Sequence, residues 1–506
     1  MNFMNSMKNY LDSNTHTYTE NGAVAFATSG KKLLDFNFAT TALRKETDDN
    51  IAGEFSKVYF ENPIVAVQYL FWLRDCRGGN GERRIFRVCF KWLAENKPEI
   101  ARATIKFIPE FGRYDDLYCV ADTQLKDDAF RIIRNQFDKD LSNAIHGKQI
   151  SLLSKWLKSE NSSSKESRRL ARMTMDYLNL NPRRYRKTLS RLRKHLDVVE
   201  RKMAGKEWDM INYSTVPSQA NVKYSAAFLR NDEERRKEYL NSLKRGETKI
   251  NATTLQPHEI VAKYKDGYGL SRTVRQYDEA LEQLWKALPS TNIGNTLVVR
   301  DSSGSMLTGY GAQCCPLDVA TALAIYAAEH NDGIWKDKYI TFSSNPRFID
   351  LSGCSTLRDK LVLSFSESEV ANTDIEKTML LILNTAIANH CTQDEMPKNI
   401  LILSDLQFDS MVTIRGNRKA LFENLISVYE DNGYKMPRII FWNLSGSVNN
   451  TIPIQNNDLG VVLCSGFSIQ LLKMIMSGKT DPYEVLLETI NSERYLPIKE
   501  AVQDLV

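Results

Sequence analysis

From about residue 60 the apolar positions recur with a helical period and show little strand alternation. Residues 63–74 (PIVAVQYLFWLR), 84–95 (RIFRVCFKWLAE) and 100–108 (IARATIKFI) predict successive helices, parted by the turn segments Arg77-Gly78-Gly79-Asn80-Gly81 and Asn96-Lys97-Pro98. The RGGNG turn lacks the G-K-[ST] ending of a phosphate loop and follows a helix, so it reads as a helix–helix turn. Stacked hairpins of a helical solenoid are the expected architecture, with degenerate HEAT-like repeats because no fixed sequence period is visible. Residues 161–168 (NSSSKESR) form a polar connector. After it, residues 186–203 on one helix place Leu189, Leu192, Leu196, Val199 and Met203 on one face and Lys187, Arg191, Lys194 and Arg201 on the other.

From about residue 290 short apolar runs alternate with helical segments. The strands expected are 296–300, 339–343, 399–404, 438–443 and 460–464, with helices over 316–329, 375–389, 416–431 and 467–476. This alternation predicts an α/β, doubly wound, Rossmann-like and mostly parallel sheet. A chain of 506 residues, 42% hydrophobic and 25% charged, is too long for one core. The divisions read from the pattern are an N-terminal segment 1–30, a helical repeat domain 31–290, an α/β domain 291–480 and a helical tail 481–506.

No run approaches the ~20 apolar residues of a membrane span, and residues 1–20 lack the apolar centre of a signal peptide. A soluble, cytoplasmic protein with no membrane partner is expected. The eight cysteines are scattered without paired C-x-x-C spacing, and none of the six histidines neighbours another, which argues against disulfide scaffolds, zinc ribbons and histidine-based metal centres. His258, just after Pro257, reads as a packing histidine.

Charge divides the chain. Residues 1–290 carry 50 Lys and Arg against 37 Asp and Glu, whereas residues 291–506 carry 17 against 25. The excess concentrates between Lys165 and Lys206, where 14 basic residues meet four acidic ones. Two readings fit this stretch: contact with RNA or another polyanion, or the solvated face of an amphipathic helix. Scarcity of acidic i,i+4 partners favours the first. The candidate phosphate contacts are Arg168, Arg169, Arg172, Arg183, Arg184, Lys187, Arg191 and Lys194; Tyr185 and His195 are placed either to stack on bases or to pack.

In the acidic half, the first strand runs into Asp301-Ser302-Ser303-Gly304-Ser305, a D-x-S-x-S turn whose carboxylate and hydroxyls are the hard oxygen donors that Mg²⁺ prefers. The 399–404 strand ends at Asp405, and the loop 371–374 offers Thr373 just before a helix. This order of pieces resembles the metal-ion-dependent adhesion site of a von Willebrand factor A domain. The resemblance implies Asp301, Ser303, Ser305, Thr373 and Asp405 as ligands of Mg²⁺ or another divalent cation, with one coordination position open to a partner's carboxylate. One departure is the Ala371-Asn372 pair where relatives often carry two glycines.

A helical region followed by such a domain resembles the Ro ribonucleoprotein architecture, called TROVE. The chain is most similar to an uncharacterised TROVE-like family through Arg74-Asp75-Cys76-Arg77-Gly78-Gly79-Asn80-Gly81-Glu82-Arg83 and through 162–172 (SSSKESRRLAR), 185–195 (YRKTLSRLRKH), 255–260 (LQPHEI), 401–409 (LILSDLQFD) and 465–473 (SGFSIQLLK). The resemblance implies a monomeric ring of helical repeats closed by the A domain, binding small structured or single-stranded RNA. Two functions remain open at this point: a non-enzymatic RNA-binding scaffold, or a protein–protein adaptor that captures a partner carboxylate at the metal site without RNA. Catalysis is not expected, because no general base, second-metal carboxylate cluster or nucleophile–histidine pair is apparent.

Overall fold

The computed structural model describes residues 16–18, 24–26, 29–267, 272–307, 315–342, 346–367, 375–405, 419–444, 462–465 and 481–506. The loop carrying Thr373 and the helix expected at 467–476 lie outside these residues. The chain forms two compact units, one of residues 48–254 with 490–506 and the other of residues 1–47 with 255–489.

The first unit is helical. Its helices include Asp48–Glu61, Pro63–Arg74, Arg84–Asn96, Lys126–Ile145, Lys165–Leu178, Pro182–His195, Ser218–Asn231 and Glu233–Lys244. The second of these starts where expected because Pro63 presets the first turn and the Asn62 side chain accepts from Val65 N at 3.2 Å. Its buried face carries Phe71, which meets Phe86, Phe90 and Phe111 edge-on at 5.6–6.1 Å between ring centres. The helix expected over 100–108 divides into Pro98–Thr104, a tight turn Ile105–Phe107 and Ile108–Phe111.

The loop 75–83 folds back on the end of its own helix. Gly79 N donates to Asp75 O at 3.1 Å, Asn80 N to Trp72 O at 3.2 Å and Glu82 N to Leu73 O at 2.7 Å, which satisfies the last carbonyls of the helix. A side chain at Gly79 is excluded, since its Cβ would stand 1.9 Å from Trp72 O. Beneath the loop lies a buried ion network. Arg74 reaches Asp116 at 2.8 Å, Arg87 reaches Asp116 at 2.6 Å and Asp115 at 3.0 Å, and Lys158 reaches Asp115 at 3.3 Å.

The second unit is built on a six-stranded sheet: β1 Thr296–Asp301, β2 Lys338–Phe342, β3 Phe348–Asp350, β4 Asn399–Ser404, β5 Arg438–Asn443 and β6 Val462–Ser465. The strand order is β6-β5-β4-β1-β2-β3, parallel except for the edge strand β3. The central strands are buried along almost their whole length, with apolar runs at 297–299 and 400–403, as strands covered on both faces must be. Leu297, Val299, Ile400, Ile402, Ile439 and Phe441 form the core with Met379 and Leu383 of helix Ile375–Ala388.

The expected domain boundaries at 31, 290 and 480 cut across these units. Helix Lys32–Leu43 and residues 255–290 belong with the sheet, because Phe38 fills the sheet's apolar core and Asn443 donates to Phe38 O at 3.4 Å. Residues 490–506 belong with the helices, because Tyr495 stacks on Phe111 at 5.5 Å and Arg494 and Tyr495 both donate to the buried Asp75 carboxylate. The helix expected over 186–203 also breaks: it stops at His195, Asp197 turns with φ +53°, and a short helix Val199–Ala204 follows. Six cysteines with described side chains are free thiols, and no helix among the described residues is long and apolar enough to cross a membrane.

Helix Pro257–Tyr264 packs on helix Pro316–Glu329. The residue His258 keeps some exposure, but its Nδ1 is sealed from solvent; this enclosure, reinforced by Arg44 and opposed by Asp318, pushes its pKa down to about 3.

Two outcomes follow. Gly79→Ala lowers the stability of the helical unit by about 2–3 kcal/mol or more through overpacking, whereas Gly81→Ala, at φ +77° and with no close neighbour, costs about 1 kcal/mol in urea denaturation. Because the folded-state pKa of His258 lies below its unfolded value near 6.5, its contribution is present above pH 6.5 and is lost as pH falls toward 3. Wild type loses about 1–2 kcal/mol more than His258→Gln between pH 7 and 5, read from paired denaturation curves.

Candidate nucleic-acid interface and cation site

In a doubly wound sheet the chain leaves the first strand in one direction and later returns to its other side, opening a crevice at the strands' carboxyl ends. Here β1 and β4 are the adjacent pair, with β2 on the far side of β1 and β5 on the far side of β4. Their register pairs Arg300 with Leu403, so Asp301 falls beside Ser404 and Asp405 one residue beyond. The strands thus bring together two carboxylates about 100 residues apart in sequence.

Both carboxylates are buried, Asp301 at 1% and Asp405 at 5% exposure. Asp301 Oδ1 accepts from Ser303 N at 2.8 Å, Oδ2 accepts from the Ser404 hydroxyl, and the Ser303 and Ser305 hydroxyls lie 3.0 Å apart. Burial, then the neighbouring Asp405 charge, raise the Asp301 pKa to about 7 against the pull of the Ser404 and Ser303 hydrogen bonds. Ser404 was not among the residues singled out by sequence; its place just before Asp405 on the strand beside Asp301 is the signal that points to it. Of the five residues expected together, four converge here and Thr373 lies outside the described residues.

Among the described residues no three His, Cys, Asp or Glu side chains converge as a metal cage. A cation at this crevice would rest on two carboxylates and a set of hydroxyls. Two desolvated carboxylates facing each other beside hydroxyl oxygens are a donor set that suits a hard divalent ion.

The basic surface is built on helix Pro182–His195. Asn181 caps it, accepting from Arg184 N at 2.9 Å, and Tyr185, Leu189 and Leu192 form its buried face. Tyr185 is a packing residue, 1% exposed, with its hydroxyl on Lys158 O at 2.8 Å. Arg183, Arg184, Lys187, Arg191 and Lys194 are exposed, as is Arg172 on helix Lys165–Leu178, and none of the six has an ion-pair partner among the described residues. Arg184, Lys187, Arg191 and Lys194 follow a spacing that lines one helix face.

The other candidates are engaged. Arg169 is held by Glu166 and Asp122 at 2.7–2.8 Å, which raises its pKa. Arg168 donates to Ser162 O and Ser163 O at 2.6 and 2.8 Å. Arg201, expected on the stripe, pairs with Glu207 at 2.7 Å beyond the helix break. His195 is exposed with Nε2 2.7 Å from Lys148 O. The free cations include two, Arg183 and Arg184, in the first helical turn, where the macrodipole disfavours a positive charge by about 0.3–1 kcal/mol each. Their position is therefore not a stability device.

Comparison with known proteins places the chain in a family. The profile of a domain of unknown function, DUF2828, matches residues 19–143 and 133–291, and that of a second domain of unknown function, DUF7788, matches residues 295–501. The uncharacterized protein L728 of Acanthamoeba polyphaga mimivirus is 30% identical over 515 aligned residues, covering 94% of this chain and 87% of that protein. Among solved structures, the Deinococcus radiodurans RO (RSR) protein aligns over 88% of this chain and 94% of its own at a TM-score of 0.45 and 14% identity. The chain is a member of the DUF2828 family, with a DUF7788 domain following in the same polypeptide.

Proposed function

We propose that this protein is a non-catalytic RNA-binding scaffold of the Ro type, gripping small structured or single-stranded RNA through its basic helical surface. The observation that carries this reading is the row of exposed cations on helix Pro182–His195 that have no ion-pair partner among the described residues, two of them placed against the helix dipole. Long side chains with no carboxylate to answer them are available to phosphates at no cost in broken ion pairs.

The sheet domain is read as von Willebrand A-like, with Asp301, Asp405, Ser303 and Ser305 holding Mg²⁺ and Thr373 as a further hydroxyl donor. A bound divalent ion there would supply an electrostatic docking point for a carboxylate. This supports a second reading, a protein–protein adaptor, carried by the two buried carboxylates at the crevice.

Six free cations predict a log–log salt slope of about −4 for a single strand, from about 0.7 per neutralised phosphate. Charge reversal of Arg184, Lys187, Arg191 and Lys194 to Glu lowers that slope by about 3 and removes co-purifying small RNA, whereas Arg169→Gln leaves it in place. Wild type carrying no more RNA than an unrelated basic protein contradicts the reading. For the sheet domain, Mg²⁺ raises the melting temperature of wild type and leaves that of Asp301→Ala unchanged; equal shifts in both would exclude Asp301 as a ligand.

A further inference from the structure

The break in the helix expected over 100–108 opens a cleft on the helical unit. The tight turn Ile105–Phe107 and the short helix Ile108–Phe111 stand beside helix Lys126–Ile145. Between them lies a cavity of about 470 Å³, within the range of about 300–1,000 Å³ that small-molecule sites occupy. Lys106, Pro109 and Glu110 line it from the broken segment. The long helix supplies Asn135, Gln136 and Lys139, whose spacing sets them on one face. Both sides are anchored from behind. Arg77 Nη1 donates to Glu110 O at 3.1 Å, and Phe107 and Phe111 meet Phe71 edge-on at 6.4 and 5.6 Å between ring centres. Gln136 Nε2 donates to the buried Asp140 carboxylate at 2.8 Å, and Ser151 donates to the same carboxylate from its backbone N–H at 2.9 Å and its hydroxyl at 2.6 Å. A hydrogen bond to Ser151 in turn holds the half-buried Tyr114, which completes the lining.

The charges in this cleft do not neutralise one another. Lys106 and Glu110 are four residues apart, a spacing that pairs on a continuous helix, but the tight turn interrupts the helix and no ion pair joins them. Lys106, Glu110 and Lys139 are exposed, and none has an ion-pair partner among the described residues. The two lysines come from opposite sides, and two ammonium groups suit the dianion of a phosphomonoester. The Glu110 carboxylate between the same walls works against a ligand that is only an anion and calls for hydrogen-bond donors.

The side-chain amides of Asn135 and Gln136 add both donors and acceptors, and the Asp140 bond fixes one of them in place. Sugar hydroxyls donate and accept in the same way, and the C–H face of a sugar ring can lie on the rings of Tyr114 and Pro109. We infer that this cleft binds a phosphorylated sugar, with Lys106 and Lys139 on the phosphate and Glu110, Asn135 and Gln136 on the hydroxyls. A free sugar phosphate and a mononucleotide both carry that chemistry. The site stands whether or not helix Pro182–His195 binds RNA.

The test titrates the full chain in a calorimeter with glucose 6-phosphate, ribose 5-phosphate, adenosine 5′-monophosphate, inorganic phosphate and ribose. At least one of the three phosphorylated sugars binds wild type about tenfold more tightly than inorganic phosphate or ribose does. Adenosine monophosphate binding more tightly than both sugar phosphates marks a mononucleotide as the occupant, and the reverse marks a free sugar phosphate. Lys106→Met and Lys139→Met, both at exposed positions, each lower that affinity about tenfold, the loss of one charge-assisted contact. Glu110→Gln weakens the phosphorylated sugar and does not weaken inorganic phosphate, while the urea midpoint of all three variants stays at the wild-type value. Phosphorylated sugars that bind no more tightly than inorganic phosphate overturn the inference, as does an affinity that survives in both lysine variants or a selectivity over inorganic phosphate that survives in Glu110→Gln.

Discussion

The Asp116 carboxylate is the constraint around which the helical unit is arranged. Fully buried, it accepts from Arg74 at the end of one helix, from Arg87 on the next, and from the backbone N–H of Arg113. Each of those donors fixes a different segment: the loop 75–83 grows from Arg74, the helix Arg84–Asn96 carries Arg87, and the Gly112–Arg113 corner leads into the turn Tyr114–Val120. A buried carboxylate is tolerated only when its acceptor sites are filled, and here the filling comes from charged groups. Arg113, whose backbone N–H closes this network, sets its guanidinium over the Trp156 ring, 4.2 Å from the ring centre.

The sheet unit repeats the logic with the opposite sign. Parallel strands β1 and β4 end side by side where the strand order reverses, and that end of the sheet carries the buried Asp301 and Asp405. Backbone and hydroxyl donors from Ser303 and Ser404 offset part of the desolvation of Asp301, and burial still raises its pKa to about 7. Elsewhere in the unit the buried Asp318 carboxylate is answered by Lys265 at 2.7 Å and Arg272 at 3.1 Å. The difference separates a carboxylate neutralised by its own protein from one left with another carboxylate as neighbour.

Much of this was legible in the sequence because it depends on local order. The period of residues 63–74 and 84–95, the apolar runs of β1, β4 and β5, and the position of Asp301 and Asp405 at strand ends are properties of single segments. What an element packs against is not. Helix Lys32–Leu43 joins the sheet through Phe38, and the C-terminal residues join the helices through Tyr495, contacts made across hundreds of residues. The break at Asp197 arises from a left-handed turn that the amphipathic pattern of 186–203 does not register. The distinction between free and engaged arginines is also tertiary: Arg169 is consumed by Asp122, which is 47 residues away, and Arg74 by Asp116, which is 42 residues away.

The central claim is that RNA lies along the exposed cations of helix Pro182–His195. Ultraviolet cross-linking of bound RNA to the full-length protein, followed by mass spectrometry of the adducted peptides, reads that surface directly. The account predicts adducts concentrated in peptides from residues 172–195. Adducts confined to the sheet unit, or their absence from this helix in a sample that carries RNA, would contradict it.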